Sequence, residues 1–123
     1  MKLFFNKEKR LWHKYYNKNE REVETPNISL YEFLYNSNKD RLNKTAINYF
    51  GRKITYNEFL GKIDICAKAL KSQGIREKDV VSICLPNLPE AVILFYAVSK
   101  IGAIANMIHP LSAEEEIKRS IID

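Results

Sequence analysis

At 123 residues, with 46% hydrophobic and 11% aromatic content, the chain is long enough to bury one core and falls within the size of a single domain. The formal net charge of +5 is modest, and most of it sits at one end. Residues 1–26 carry seven Lys/Arg against four Glu, a net of +3, while residues 27–123 carry thirteen basic against eleven acidic residues, a net of +2. That balance argues against a dedicated nucleic-acid binder, so no nucleic-acid partner is expected.

Cys66 and Cys84 are the two cysteines; they lie 18 apart with no CxxC spacing and no local histidine, which excludes a zinc motif or a disulfide framework. Both sit among apolar residues and are expected as buried, reduced thiols in a cytoplasmic protein. The opening residues MKLFFNKEKR have no apolar run of signal-peptide length and no small-residue cleavage site. The most apolar stretch, Ala91 to Ile108, has an uninterrupted apolar core of eight residues, Ala91 to Val98, against the roughly 20 needed to cross a bilayer. It reads as a buried helix followed by a strand.

In chain order, residues 1–26 form a basic, aromatic arm. The run LWHKYYNKNEREVETP interleaves rings with cations, a pattern that suits stacking on bases or lying on an anionic membrane. The plainer expectation is an extended arm whose Leu11, Trp12, Tyr15 and Tyr16 pack onto the body while the charges face water. Residues 27–123 form the organised part. Asn27 or Ser29 caps a short helix, Leu30 to Tyr35; Ser29 with Glu32 makes a capping box, in which each side chain satisfies a backbone N–H left unpaired in the first turn. Ser37 to Lys44 is a polar connection. Ala46 to Phe50 and Lys53 to Tyr56 predict a hairpin around a Gly51-Arg52 turn.

Thr55 caps the next helix, Tyr56 to Gln73, again with a glutamate, Glu58, three residues on. Phe59, Ile63, Cys66, Ala67 and Leu70 give that helix one apolar face, and Gly74 ends it. Val80 to Leu85 is a nearly continuous apolar run, predicted to be a strand covered on both faces, with Asp79 ordering the turn before it. Leu88 to Ile101 is apolar almost all round, which predicts a helix inside a protein. Ala103 to Ile108 returns as a strand, parallel to the first through a right-handed crossover. Ser112 is expected to cap a last helix, Glu114 to Ile122, whose acidic first turn suits the helix dipole. The fold class is therefore α/β: an N-terminal hairpin followed by a β-α-β-α unit with parallel strands.

Motifs for chemistry are sparse. The four glycines, Gly51, Gly61, Gly74 and Gly102, are at least ten residues apart, so no loop can bring successive backbone N–H groups onto a phosphate. With His13 and His109 as the two histidines, no nucleophilic triad is supported. His109 and Asn87 each follow a strand, at the sheet edge where open α/β folds bind ligands, although a strand-end turn or cap residue is the simpler reading of both. No catalytic, cofactor-binding or metal-binding residue is assigned.

The runs KTAINYFGRKITYNEF and AKALKSQGIREKDVVSICLPNLPEAVILFYAVSKIGAIANMIHPLSAEEEIKRSIID resemble the N-terminal part of the AMP-forming acyl-CoA synthetases of the adenylate-forming superfamily. The opening LWHKYYN and ETPNISLYEFL are similar to the start of its long-chain fatty acid CoA ligases. The resemblance covers roughly residues 11–123; no single motif is strong, but the order is specific: FGRKITY, the Gly74 to Val80 turn, LPN at Leu85 to Asn87, Gly102-Ala103 and His109-Pro110. It implies an incomplete piece, residues 27–123, of a larger adenylate-forming domain. For the parent it implies a fatty acid, ATP with Mg²⁺, and coenzyme A, joined by acyl adenylation and then thioester formation.

The family's phosphate loop, acidic metal ligands and late lysine are not in this sequence, so the chain by itself is expected to be inactive, either an expressed fragment or the product of a truncated gene. The alternative is a small stand-alone α/β module for binding or self-association. Its exposed sheet edge would pair with a second copy. In either case the basic arm is a candidate for a peripheral membrane contact.

Overall fold

The structure, a computed structural model, describes residues 14–17, 20 and 25–122. Its elements are α1 (Leu30–Asn38), β1 (Thr45–Tyr49), β2 (Arg52–Thr55), α2 (Tyr56–Ser72), β3 (Val80–Ile83), α3 (Pro89–Lys100), β4 (Ile104–Met107) and α4 (Glu114–Ile122). The expected α/β order is present: β1 and β2 form an antiparallel hairpin, and β3 pairs with β4 in parallel.

Local chemistry sets the boundaries. Ser29 caps α1 and Thr55 caps α2, each in a complete capping box with Glu32 or Glu58. These bonds hold both carboxyls below their ordinary pKa, since the ionised form accepts the backbone N–H and the cap hydroxyl. Helices α2 and α3 end alike. Ile75 N–H donates to Leu70 C=O and Gly74 N–H to Lys71 C=O; Ala103 and Gly102 do the same to Val98 and Ser99. This is the Schellman arrangement, and its left-handed residue is glycine both times, with φ of 92° at Gly74 and 76° at Gly102.

The core lies where α2 and α3 meet the hairpin. Ile54, Phe59, Leu60, Ile63, Ala67, Ala97 and Ile101 are buried together, and the Phe59 and Tyr96 rings meet edge to face at 5.9 Å. Phe59, Ile63 and Ala67 recur every four residues, the stripe the sequence predicts. A second buried set, Ile83, Ala91, Val98 and Ile108, joins α3 to the parallel strands. A polar clamp ties three helices. The Lys100 ammonium donates to the Asp64 carboxylate of α2 and, at 2.8 Å, to the Tyr31 hydroxyl of α1, while Tyr31 N–H donates to the Ser99 hydroxyl at 3.2 Å. Desolvation pulls the Lys100 pKa down, but the bonds to Asp64 and Tyr31 outweigh it and the net shift is upward.

Several expectations need correction. Helix α1 runs three residues past Tyr35, because Asn38 is buried and its side-chain amide donates to Leu34 C=O at 2.8 Å. The hairpin turn is Phe50-Gly51, not Gly51-Arg52: Tyr49 pairs with Arg52, and both turn residues have positive φ, 47° and 85°. Strand β3 stops at Ile83 and is packed on one side only, with Val80 62% exposed, since α3 covers one face and no layer among the described residues covers the other. Helix α3 is likewise not wholly internal, for Val92 is exposed.

Cys84 is exposed, because it follows the buried Ile83 and alternation turns it to the opposite side. Cys66 is half-buried, and burial raises its thiol pKa. Ala113, not Ser112, opens α4: its N–H donates to the Glu116 carboxylate at 3.2 Å. Tyr15 is exposed rather than packed on the body, and Tyr16 is about half exposed; Leu11 and Trp12 lie outside the described residues.

Candidate functional site

In a parallel α/β unit the strands end together, and the loops that follow them splay apart to leave a crevice. Strand β3 runs Val80 to Ile83 beside Ile104 to Met107 of β4. A last bond from Ile108 N–H to Ile83 C=O closes the ladder at 2.9 Å. Beyond it the chain turns away at Pro86 and at Pro110. Between these turns lies an open recess of about 640 Å³, lined by Leu85, Pro86, Asn87, Met107, Ile108, His109, Pro110 and Leu111.

The structure thus brings Asn87 and His109 together, 22 residues apart in sequence, on one rim. The Leu111 N–H donates to His109 Nδ1 at 3.2 Å, which in the neutral ring leaves Nε2–H as a donor. The lone pair of the neutral imidazole is thereby engaged. Asp79, the third residue singled out, sits at the other end of β3 and orders the entering turn, accepting from Arg76 N–H at 2.7 Å.

A second, more apolar cleft of about 430 Å³ adjoins the rim, sharing Asn87 and Met107 and running between the hairpin and α3 over Ile47, Tyr49, Leu88, Pro89, Val92 and Phe95. These positions carry no motif. Only the packing of the hairpin on α3 brings them together, so the sequence held no signal for them.

The rim offers hydrogen bonds and apolar contact. It carries no lysine, arginine or carboxylate. A triphosphate with its metal ion needs cations and oxygen ligands around it, so these residues do not by themselves fit such a group, and no catalytic step is derived from them. Among the described residues no cluster of three or more His, Cys, Asp or Glu is placed to hold a metal ion, and no helix is long and apolar enough to cross a membrane.

A hairpin, a capped helix and a parallel β-α-β unit whose strand ends open on a crevice define an α/β unit of the kind that binds ligands at its strand ends. Comparison with known proteins makes this specific. Residues 34–123 match the family model described as AMP-binding enzyme. The chain belongs to that family, in agreement with the resemblance read from its sequence.

It is 33% identical over 102 residues to a long-chain-fatty-acid–CoA ligase of Bacillus subtilis (strain 168), covering 83% of this chain and 18% of that protein. It is 38% identical over 73 residues to an acetyl-coenzyme A synthetase of Penicillium chrysogenum, covering 59% of this chain and 11% of the relative. The N-terminal subdomain of Klebsiella oxytoca NpsA, solved with 3-hydroxybenzoyl-AMSN, superposes with a TM-score of 0.75 at 24% identity, over 77% of this chain and 24% of that one. That likeness shows a shared fold. The chain therefore spans under a fifth of the length of both curated relatives.

Proposed function

We propose that residues 27–123 are the first part of the large domain of an AMP-forming acyl-CoA ligase, with residues 1–26 as an arm before it. The parent joins a carboxylic acid to coenzyme A through an acyl adenylate, using ATP and Mg²⁺, in the cytoplasm. Its acid is a long-chain fatty acid. The observation that carries this reading is the 33% identity with the Bacillus ligase over 83% of the chain, a longer match than the 59% shared with the Penicillium synthetase.

In this reading the chain contributes scaffold. Strands β3 and β4 form part of a parallel sheet, α3 covers one face, and the strand-end rim lies at the edge where such sheets bind ligands. With no cation or carboxylate on that rim, the chain alone is inactive. The test is ATP–pyrophosphate exchange driven by palmitate, run on residues 1–123 and on the protein of the complete reading frame. Exchange by the complete protein and none by the short chain supports the reading; exchange by the short chain contradicts the scaffold role.

The exposed side chains of Val80, Ile104 and Met107 favour a second reading, in which the chain stands alone and pairs with a second copy through its sheet. Light scattering on residues 1–123 separates the two, because a monomer at micromolar concentration counts against self-association.

A further inference from the structure

Each of the two parallel strands carries one polar side chain, and the two are register partners: Ser82 of β3 lies beside Asn106 of β4. Asparagine is among the residues that strands disfavour, so its place there needs a physical account. Its contacts give one. The Asn106 side-chain amide donates to the Ser82 hydroxyl at 3.2 Å and to the Ser120 backbone carbonyl of α4 at 2.6 Å, which uses both of its hydrogens. One side chain thereby ties β3, β4 and α4 together.

The tie matters most for α4. None of its side chains is buried, and among the described residues no other hydrogen bond joins it to a strand. The helix follows directly on the loop 108–113, which carries His109 and forms one wall of the strand-end recess. At its start that loop is fixed by the ladder, through Ile108 N–H to Ile83 C=O at 2.9 Å. Within it, Leu111 N–H donates to His109 Nδ1 and Ser112 N–H to His109 C=O at 3.0 Å. At its end, Ala113 N–H donates to the Glu116 carboxylate, so the loop moves with α4. Both ends of the wall are therefore set from the parallel strands, one through the backbone and the other through the Asn106 amide. Donor and acceptors all belong to these elements, so the tie does not depend on what packs against the outside of the unit.

We propose that Asn106 is a positioning residue for the strand-end rim: its amide seats α4, and through α4 it sets where the wall carrying His109 stands. Asn106 does not itself line the recess. That the recess serves the reaction rests on the ligase reading; that Asn106 sets its wall does not.

The experiment compares the complete protein with its Asn106→Leu and Asn106→Asp variants. Both substitutions nearly keep the side chain's size and remove its donors, the aspartate being ionised at neutral pH. Amide exchange on peptides covering 108–122 is expected to quicken roughly fivefold in both, from loss of one intramolecular hydrogen bond. The core turns of α2 around Ile63 should keep their protection. Ser82→Ala, which leaves the bond to Ser120, should exchange as the wild type does over 114–122. In the ligase assay, KM for at least one of ATP, palmitate and coenzyme A is expected to rise about fivefold in both Asn106 variants, with kcat within about twofold. Wild-type exchange over 108–122 in both variants overturns the tie. So does acceleration in Asn106→Leu alone, which would make the contact one of shape, or equal acceleration in α2, which would make it general stability. Quickened exchange with all three KM values unchanged overturns the positioning role. A wild type that forms no thioester counts against the ligase reading, and the exchange result then decides the tie by itself.

Discussion

Replacing Lys100 with methionine should loosen α1 and little else. The methionine keeps most of the apolar stem and removes the ammonium that joins α2 to α1. The Lys100 and Asp64 side chains are 30% and 47% exposed, so their ion pair is discounted to about 0.5 kcal/mol. The hydrogen bond to the Tyr31 hydroxyl contributes about 1 kcal/mol. Helix α1 also docks through Tyr31 and Leu34, which pack part-buried on the core, so the loss of about 1.5 kcal/mol is equivalent to about a tenfold change in its opening equilibrium without undocking it outright.

Amide hydrogen exchange in the complete protein, followed on peptides covering 30–38 and 56–72, reads this directly. Exchange in α1 should quicken about tenfold while the core turns of α2 around Ile63 stay unchanged. Equal acceleration in both helices, or none in α1, would refute the clamp. The pH dependence is set by the raised lysine pKa. The folded value lies above the unfolded one, so the contribution is complete through neutral pH and fades only as pH rises past the ordinary lysine value of about 10.4.

Other expectations follow from the caps and the core. Glu32 and Glu58 have folded pKa values below their unfolded ones, so their stabilisation is complete above about pH 4.3 and lost as pH falls through the folded values. Exchange at the first turns of α1 and α2 should then rise together in acid; protection unchanged there would show that the boxes do not matter. Gly102→Ala places a β-carbon at φ 76° and 2.9 Å from Glu77 Cγ, a flexible exposed side chain, so backbone strain dominates at about 1–2 kcal/mol. A melting temperature equal to the wild type's would contradict the Schellman assignment at α3. Ile63→Val removes one methylene from a fully buried position and should cost about 0.5–1.5 kcal/mol in denaturant unfolding, whereas no change would mean the site is not core.

Sequence periodicity reached the framework because its signals are local. Thr55 with Glu58, and Gly74 after an apolar stripe, each satisfy orphaned backbone groups within a few residues, so they are visible along the chain. The hairpin turn was misplaced by one residue because Gly51 alone carries a turn signal, and a phenylalanine beside it gives no hint of left-handed backbone. Strand length was overestimated at Cys84-Leu85 because composition cannot show where a partner strand ends. The rim residues Asn87 and His109 were legible as strand-end positions. The clamp was not, because Tyr31, Asp64 and Lys100 meet only once three helices have packed, across 33 and 36 residues of sequence. The apolar cleft over Val92 and Phe95 shares that origin.

We propose that this chain opens an acyl-CoA ligase for long-chain acids. The most direct test of this proposal gives the complete protein ATP, Mg²⁺ and coenzyme A with equal amounts of acetate, octanoate and palmitate, and identifies the thioesters by mass spectrometry. Palmitoyl-CoA as the dominant product, formed only with ATP and accompanied by AMP, is the predicted result. Acetyl-CoA as the main product would contradict the long-chain assignment, and no thioester from any of the acids would contradict the ligase reading itself.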